Sequence, residues 1–337
     1  MKRSGHLFNK IVSLDNLLIA ARKAFRGKKD KPRVAAFYFN LENEGVTLHQ
    51  ELIAATYEPR PYRTFTIFEP KERQICAADF RDRVVHHAIC HMLDPLFEKS
   101  MISDTFACRV NKGTHAAVNR AQYFARRFPV FLKCDVVKYF ASVDQAVLRN
   151  LLCSKIKDRR LLALLDQIID HPLPGSSQGK GLPIGNLTSQ YFANFYLGKL
   201  DHFVKDQMGV KGYVRYMDDF ILFGESKYIL KEQLLQIREY LENRLLLKLK
   251  DHALLMAPVA HGIPFLGFRI FPHLVRLDGR KWSKFRAAVR KREEQYMKGE
   301  IDEDELARSV LAMIGHVQHA NTHEARKKFF AGSAYLG

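Results

Sequence analysis

An α+β fold is predicted, and three features of the sequence predict it. The stretch "YRTFTIFEPKERQICAADF" (62–80) alternates β-branched and aromatic residues with polar ones around a turn at "EPKE", a hairpin signature. A second hairpin reads through 213–223, "YVRYMDDFILF". Between and after these, long stretches carry apolar residues at helical spacing. At 337 residues the chain is long enough for two or three compact subdomains, each with its own core.

Residues 1–60 read as helical, broken by the basic run "RGKKDKPR" (26–33). The opening "MKRSGHLFNKIVSLDNLLIA" is basic, but Asp15 and Asn16 interrupt its apolar part and no small-residue cleavage site follows. It reads as an amphipathic helix, not a signal peptide. After the first hairpin, "DRVVHHAICHMLDPLFEKS" is a helix with Asp82 and Arg83 in its first turn. A Gly-Thr start opens the next helix, with Thr114 as its N-cap. "VFLKCDVVKYFASVD" (130–144) begins as a strand whose Val130, Leu132, Cys134 and Val136 share one face and put Asp135 on the other. One helical stretch runs from Gln145 to about Ile169, and Pro172, Pro174, Gly175, Gly179 and Gly181 then mark a loop. Helices follow over 186–205 and 227–246, on either side of the second hairpin; "IPFLGFRI" (263–270) is a strand, and the chain is helical from about Trp282. The break at 272–279 is the best domain boundary. Beyond it Trp282, Phe285, Val289 and Tyr296 form one apolar stripe, with Arg286, Arg290, Lys291 and Arg292 on other sides; these and Lys284 are placed for phosphate contact.

The hydrophobic fraction of 47% and charged fraction of 27% are those of an ordinary globular protein, which argues against wholesale disorder. The charge is more informative. A formal net charge of +18 repels itself unless a polyanion is near, and nucleic acid is the leading partner. No apolar run is long enough to span a bilayer, which weakens a membrane reading. The five cysteines form no CxxC pair and read as reduced thiols in a cytoplasmic protein. "HHAICH" (86–91) holds zinc-type ligands, but its apolar neighbours fit a partly buried helix.

Two adjacent acids, Asp218 and Asp219, sit in an otherwise apolar hairpin. Burying either unpaired would cost several kcal/mol. Asp135, just past a strand, supplies a third carboxylate, and strand ends from distant parts of a chain converge when the strands are neighbours. Oxygen donors without His or Cys suit Mg²⁺ and not zinc, and a divalent cation removes the repulsion within the pair. Two such ions roughly 3.5–4 Å apart serve an in-line displacement at phosphorus.

In this setting the chain resembles the reverse transcriptases. "YMDDF" is similar to their catalytic hairpin and "CDVVKYFASVD" to the strand bearing their first metal-binding aspartate. "GLPIGNLTSQYFANFYL" resembles the loop and helix that cradle the templating base and incoming nucleotide; "FACRVNKGTHAAV" and "FLGF" match further blocks in the same order over about residues 60–270. The resemblance implies a right-hand polymerase: an N-terminal helical extension (1–60), fingers (61–129), a palm of antiparallel sheet plus helices (130–272, with finger elements at about 145–185) and a helical thumb (273–337). It implies catalysis by Asp135, Asp218 and Asp219 on two Mg²⁺ ions, with Mn²⁺ able to substitute. Phe140 falls on the steric gate that selects dNTPs. Lys71 and Arg73 look like the triphosphate grip, with Arg81 and Arg83 less specific, and Ile184, Gly185 and Gln190 lie at the nascent pair. Arg109 and Lys112 join the thumb cations as nucleic-acid contacts. The lysine that many polymerases place after the hairpin has no clear counterpart: the spacing falls near Ala253, with Lys248 and Lys250 earlier.

"IGNLTSQ" (184–190) is similar to the form found in diversity-generating retroelements, where most group II intron enzymes carry QGxxxSP. "EPKERQI", "CRVNKGTHA", "IPFLGFRI" and "GHVQHANTH" also look like that family. It implies error-prone, adenine-directed cDNA synthesis from a template RNA, in bacteria or phage, with a cDNA/RNA hybrid as product and a small basic oligomeric accessory protein as partner. Ile184 cannot hydrogen-bond as a Gln there would, which loosens nucleotide selection. A thumb-length C-terminus leaves no expected room for an endonuclease, an RNase H or a maturase extension. A group II-related or phage-defence reverse transcriptase is the alternative, and a non-catalytic RNA-binding scaffold is the least favoured.

Overall fold

The computed structural model describes residues 3–28, 30–68, 72–175 and 177–332. In chain order the elements are α1 (Phe8–Val12), α2 (Leu14–Phe25), α3 (Pro32–Phe39), α4 (Leu41–Ala54), β1 (Arg63–Ile67), β2 (Arg73–Ala77) and α5 (Phe80–Glu98). Next come α6 (Thr114–Ala125), β3 (Val130–Cys134), α7 (Tyr139–Ser142), α8 (Gln145–Cys153), α9 (Arg159–Asp170) and α10 (Leu187–His202). The rest are β4 (Gly212–Tyr216), β5 (Asp219–Gly224), α11 (Lys227–Arg244), β6 (Leu255–Pro258), β7 (Ile263–Phe265), β8 (Phe268–Ile270), β9 (Val275–Leu277), α12 (Gly279–Met297), α13 (Glu303–Val317) and α14 (His323–Phe330). This is the α+β fold that the sequence predicts.

The chain forms two compact units. The first holds Met1–Ser103, Asp135–Gln207 and Leu235–Lys250. Its centre is α5, which buries Val84, Val85, Ala88, Ile89, Leu93 and Phe97 beneath α2 and α10. Caps fix where these helices begin: the Ser13 hydroxyl accepts from Asn16 N at the start of α2, and Asp79 accepts from Arg81 N at the start of α5. Asp82, buried in the first turn of α5, accepts from the Tyr57 hydroxyl at 2.8 Å and from Arg60 N at 2.9 Å. The stretch 145–169 is two helices and not one, because the Asp158 carboxylate caps a fresh start by accepting from Leu161 N. His86 and Cys90 of "HHAICH" are buried on α5, and His91 Nδ1 lies 2.8 Å from Asn16 Oδ1.

The second unit holds Asp104–Cys134, Met208–Leu234 and Asp251–Gly337. Its main sheet runs β4-β5-β3-β6, all antiparallel, and a smaller sheet runs β7-β8-β9. Phe131, Val214, Ile221 and Phe223 bury against Val118, Ala121 and Phe124 of α6, and Ile263, Phe265 and Phe268 join the same core. The N-cap of α6 is Gly113 at φ 97°, with Thr114 as the first helical residue, a shift of one from the predicted cap. "IPFLGFRI" is a hairpin instead of a single strand, because Leu266 (φ 52°) and Gly267 (φ 79°) turn the chain back between β7 and β8. Trp282, Phe285, Val289 and Tyr296 pack as the predicted stripe against α13 and α14 residues, among them Leu306, Val310 and Phe329.

Candidate active site

The hairpin β4–β5 pairs Tyr216 with Asp219, so Met217 and Asp218 form its two-residue tip. Met217 takes φ 57°, a left-handed conformation that a residue with a Cβ adopts at a cost of about 1–3 kcal/mol. Arg215 supplies part of what holds it. This side chain is fully buried, and its Nη1 donates to Met217 O at 3.0 Å. Its backbone is bound too: Arg215 N donates to Asp104 O at 2.9 Å and Phe106 N donates to Arg215 O at 3.0 Å.

Asp219, at the start of β5, is half-buried and faces Lys133 of the neighbouring β3, with Nζ 2.8 Å from Oδ1. Within the first unit Asp135 is likewise half-buried, with Lys250 Nζ at 3.8 Å from its Oδ2 and Lys250 N donating to its carbonyl at 2.9 Å. Lys250, one of the two lysines left open by the sequence, therefore stands at a predicted metal ligand. Lys133 was not anticipated; a lysine inside the apolar strand "VFLKC" is the signal that marks it. Among the described residues no three His, Cys, Asp or Glu side chains form a group that could hold a metal ion as they stand. The donor chemistry of three carboxylates nevertheless fits Mg²⁺, an ion that would compete with the ammonium groups of Lys133 and Lys250 for two of them.

The aromatic pair after Asp135 divides its roles. Tyr139 is buried and its hydroxyl donates to Ala193 O, whereas Phe140 is half-exposed and its carbonyl accepts from Leu182 N at 2.7 Å. Tyr139 is thus the packing residue, which leaves Phe140 available as a gate. Ile184 O accepts from Cys76 N at 2.9 Å, tying the loop to the strand β2. Gly185 sits at φ 115°, and a Cβ there would lie 2.8 Å from Ile75 Cγ2, so only glycine fits this crossing. Gln190 is exposed on the first turn of α10.

The predicted basic contacts separate by environment. Lys71 lies outside the described residues. Arg73 is exposed on β2, opposite Ile67. Arg81 is buried and ion-paired with Glu51, a structural role. Arg109 Nη1 donates to Thr105 O at 2.7 Å, and Lys112 Nζ stands 4.9 Å from the Phe106 ring centroid. On α12, Lys284, Arg290 and Lys291 are exposed, while Arg286 is half-buried.

A family model described as "Reverse transcriptase (RNA-dependent DNA polymerase)" matches residues 69–270, which includes every one of these carboxylates. The chain belongs to the reverse transcriptase family. The enzyme is therefore a nucleotidyltransferase with an RNA-dependent DNA polymerase domain. It is 24% identical to protein YkfC of Escherichia coli over 271 residues, covering 66% of this chain and 70% of that one. It is 26% identical to the group II intron-encoded protein LtrA of Lactococcus lactis over 164 residues, covering 46% of this chain but only 27% of LtrA. Telomerase from Candida albicans shares the fold at a TM-score of 0.50 and 11% identity, over 82% of this chain and 57% of that one. No helix among the described residues is long and apolar enough to cross a membrane.

Proposed function

We propose that this reverse transcriptase is a group II intron-related enzyme that extends a primer along an RNA template with dNTPs, using Asp135, Asp218 and Asp219 to hold two Mg²⁺ ions. Relatedness to LtrA supports the lineage. The observation that carries the chemistry is the strand register. Cys134 pairs with Phe220; Asp135 follows the first and Asp219 precedes the second along the chain. This register supports the reading that the two carboxylates serve the same pair of ions. When bound, the ions would activate the attacking 3′-hydroxyl and stabilise the leaving pyrophosphate. The chain's own part is positional: Arg215 fixes the tip that carries Asp218, Lys133 and Lys250 offset the charge of Asp219 and Asp135, and Phe140 offers an aromatic edge where a ribose 2′-hydroxyl would sit. In the same reading, 61–129 acts as fingers, 130–272 as palm and 273–337 as thumb, the last presenting Lys284, Arg290 and Lys291 to nucleic acid.

A second reading, an error-prone enzyme of a diversity-generating retroelement with a small basic oligomeric accessory protein, is favoured by one observation. Ile184 places an apolar side chain on the loop ahead of α10 where a hydrogen-bonding Gln is the group II norm.

The test is primer extension on an RNA template with Mg²⁺. Wild type extends; Asp218→Asn, which keeps the size and removes the charge, does not. Extension by Asp218→Asn at the wild-type rate would refute the metal-carboxylate assignment.

A further inference from the structure

Three histidines far apart in the sequence meet in the second unit. His115 stands in the first turn of α6, while His316 and His319 belong to "GHVQHANTH", which runs from the end of α13 to the first residue of α14. The His115 and His319 rings stack, with centroids 3.4 Å apart and planes 20° from parallel. The His316 ring lies 5.7 Å from that of His115. Phe268 of β8 meets His115 edge-on at 6.2 Å. Lys281 of α12 stands 4.8 Å from the Phe268 ring centroid, and its ammonium donates to Leu266 O at 2.8 Å. His115 Nε2 is buried and has no hydrogen-bond partner.

The residues after His319 fasten the C-terminal helices to the sheets of this unit. Ala320 is buried in the core shared by α6 and the sheets. Asn321 pairs twice with Val275 of β9: its N–H donates to Val275 O at 2.8 Å, and its Oδ1 accepts from Val275 N at 2.9 Å. The Thr322 hydroxyl, buried, donates back to Val317 O at 2.9 Å. Helices α12, α13 and α14 share a separate core around Phe285, Val289, Leu306 and Val310. Segment 319–322 is therefore a clip between the two cores, with the stacked imidazoles at its start.

The charges that bear on the cluster share one sign. Burial lowers His115, and His319, His316 and Lys281 lower it further; His316 is lowered by burial, then by Lys281 and His319. Lys281 is itself lowered by burial, with Asp278 acting in the opposite sense. The other charged groups nearby are engaged elsewhere. Arg269 of β8 donates to His261 O, Arg276 of β9 lies against the Phe271 ring, and exposed His323 stands 3.9 Å from Glu324. On β4 the neighbouring titratable group is Tyr216, whose hydroxyl accepts from Thr114 Oγ1 at 3.4 Å. We infer that His115, His316 and His319 form an acid-sensitive latch, which holds α13 and α14 against α6 when the rings are neutral and releases them when the rings are protonated. The sign follows from linkage. A lowered value in the closed clip means that the open clip binds protons more readily. Closure is thus complete above the ordinary value of 6.5 and is lost as pH falls below it through the lowered one. A looser hold of the C-terminal helices on primer and template in acid is the consequence for synthesis, and that consequence alone rests on the polymerase reading.

The experiment is backbone hydrogen exchange of the full chain, with each rate divided by its intrinsic rate at the same pH. The variants are His115→Phe and His319→Phe, which keep a stacked ring and cannot take a proton. In the wild type, protection of segment 319–322 falls about tenfold between about pH 7.5 and about pH 5.5, while that of β4 and β5 holds within about twofold. Each variant keeps its protection at the upper pH and loses no more than about threefold over the same range. A fall as steep in both variants as in the wild type would place the acid sensitivity elsewhere and overturn the latch. Wild-type protection that does not change with pH would overturn it as well. His319→Phe carries the test should His115→Phe fail to fold. Failure of the wild type to extend a primer at neutral pH would count against the polymerase reading, whereas the latch stands or falls on the exchange.

Discussion

The Lys133 ammonium lies 2.8 Å from Oδ1 of Asp219, and both side chains are mostly buried, at 17% and 25% exposure. A positive charge thus stands beside a carboxylate assigned to a metal ion. Lys133→Gln removes that charge. Without metal it lowers stability by about 1 kcal/mol, since Asp219 keeps its charge and loses the Lys133 ammonium. It also lowers the Mg²⁺ concentration that gives half-maximal thermal stabilisation, because the ion no longer shares Asp219 with an ammonium. Melting curves across a Mg²⁺ titration check both; an unchanged Mg²⁺ midpoint would contradict the competition.

Arg215 is buried to hold a strained tip. Arg215→Met leaves Met217 O without its 3.0 Å donor, at about 1–3 kcal/mol of stability. The effect on extension falls on kcat, with dNTP KM little changed, and Arg215→Lys recovers part of it. Denaturant unfolding and steady-state kinetics of the two variants separate a positioning role from a purely structural one, which would leave the kcat of the folded fraction intact.

The Ile184 side chain can neither donate nor accept a hydrogen bond. Under the retroelement reading, Ile184→Gln restores a contact of about 1 kcal/mol and raises nucleotide selectivity several-fold, most visibly at template adenines. Sequencing of cDNA from both forms decides it. An unchanged error spectrum would remove this role and favour the group II-related reading.

Asp158 ties the chain's start to α9: its carboxylate accepts from Leu7 N and Phe8 N at 2.9 Å each, and from Leu161 N at 3.3 Å. Burial pushes this carboxyl up, but the N–H groups of Phe8, Leu161, Leu7 and Arg160 outweigh it and hold it below its ordinary value. A depressed folded value gives a contribution that is complete above the unfolded pKa of 3.8 and is lost as pH falls through the folded one. Asp158→Asn therefore costs about 1 kcal/mol near neutrality, and the gap to wild type closes in acid. Urea unfolding at neutral and acid pH measures that gap; a constant one would contradict the assignment.

What the sequence made legible is what local chemistry encodes. The acids of "YMDDF" stood out because two adjacent charges in an apolar hairpin need a reason, and the stripe from Trp282 to Tyr296 follows from helical spacing alone. Long-range pairings were not legible. β6 escaped because "LMAP" is four residues ending in proline, which a sheet tolerates only at an edge, and its partner β3 lies far back in the chain. The turn in "IPFLGFRI" was marked only by Gly267, and the left-handed Leu266 beside it has no sequence signature. Lys133 and Lys250 were readable as charges, but their aspartate partners were not, because those pairings depend on the fold around each strand end.

We propose that Asp135, Asp218 and Asp219 share two metal ions. Diffraction from crystals of the enzyme with primer, RNA template, a non-reactive dNTP analogue and Mn²⁺, collected at the manganese edge, tests it most directly. Two anomalous peaks roughly 3.5–4 Å apart, ligated by Asp135 and by a carboxylate of the hairpin, are the expected result. An assembled complex with no peak touching both Asp135 and the Asp218–Asp219 tip would contradict it.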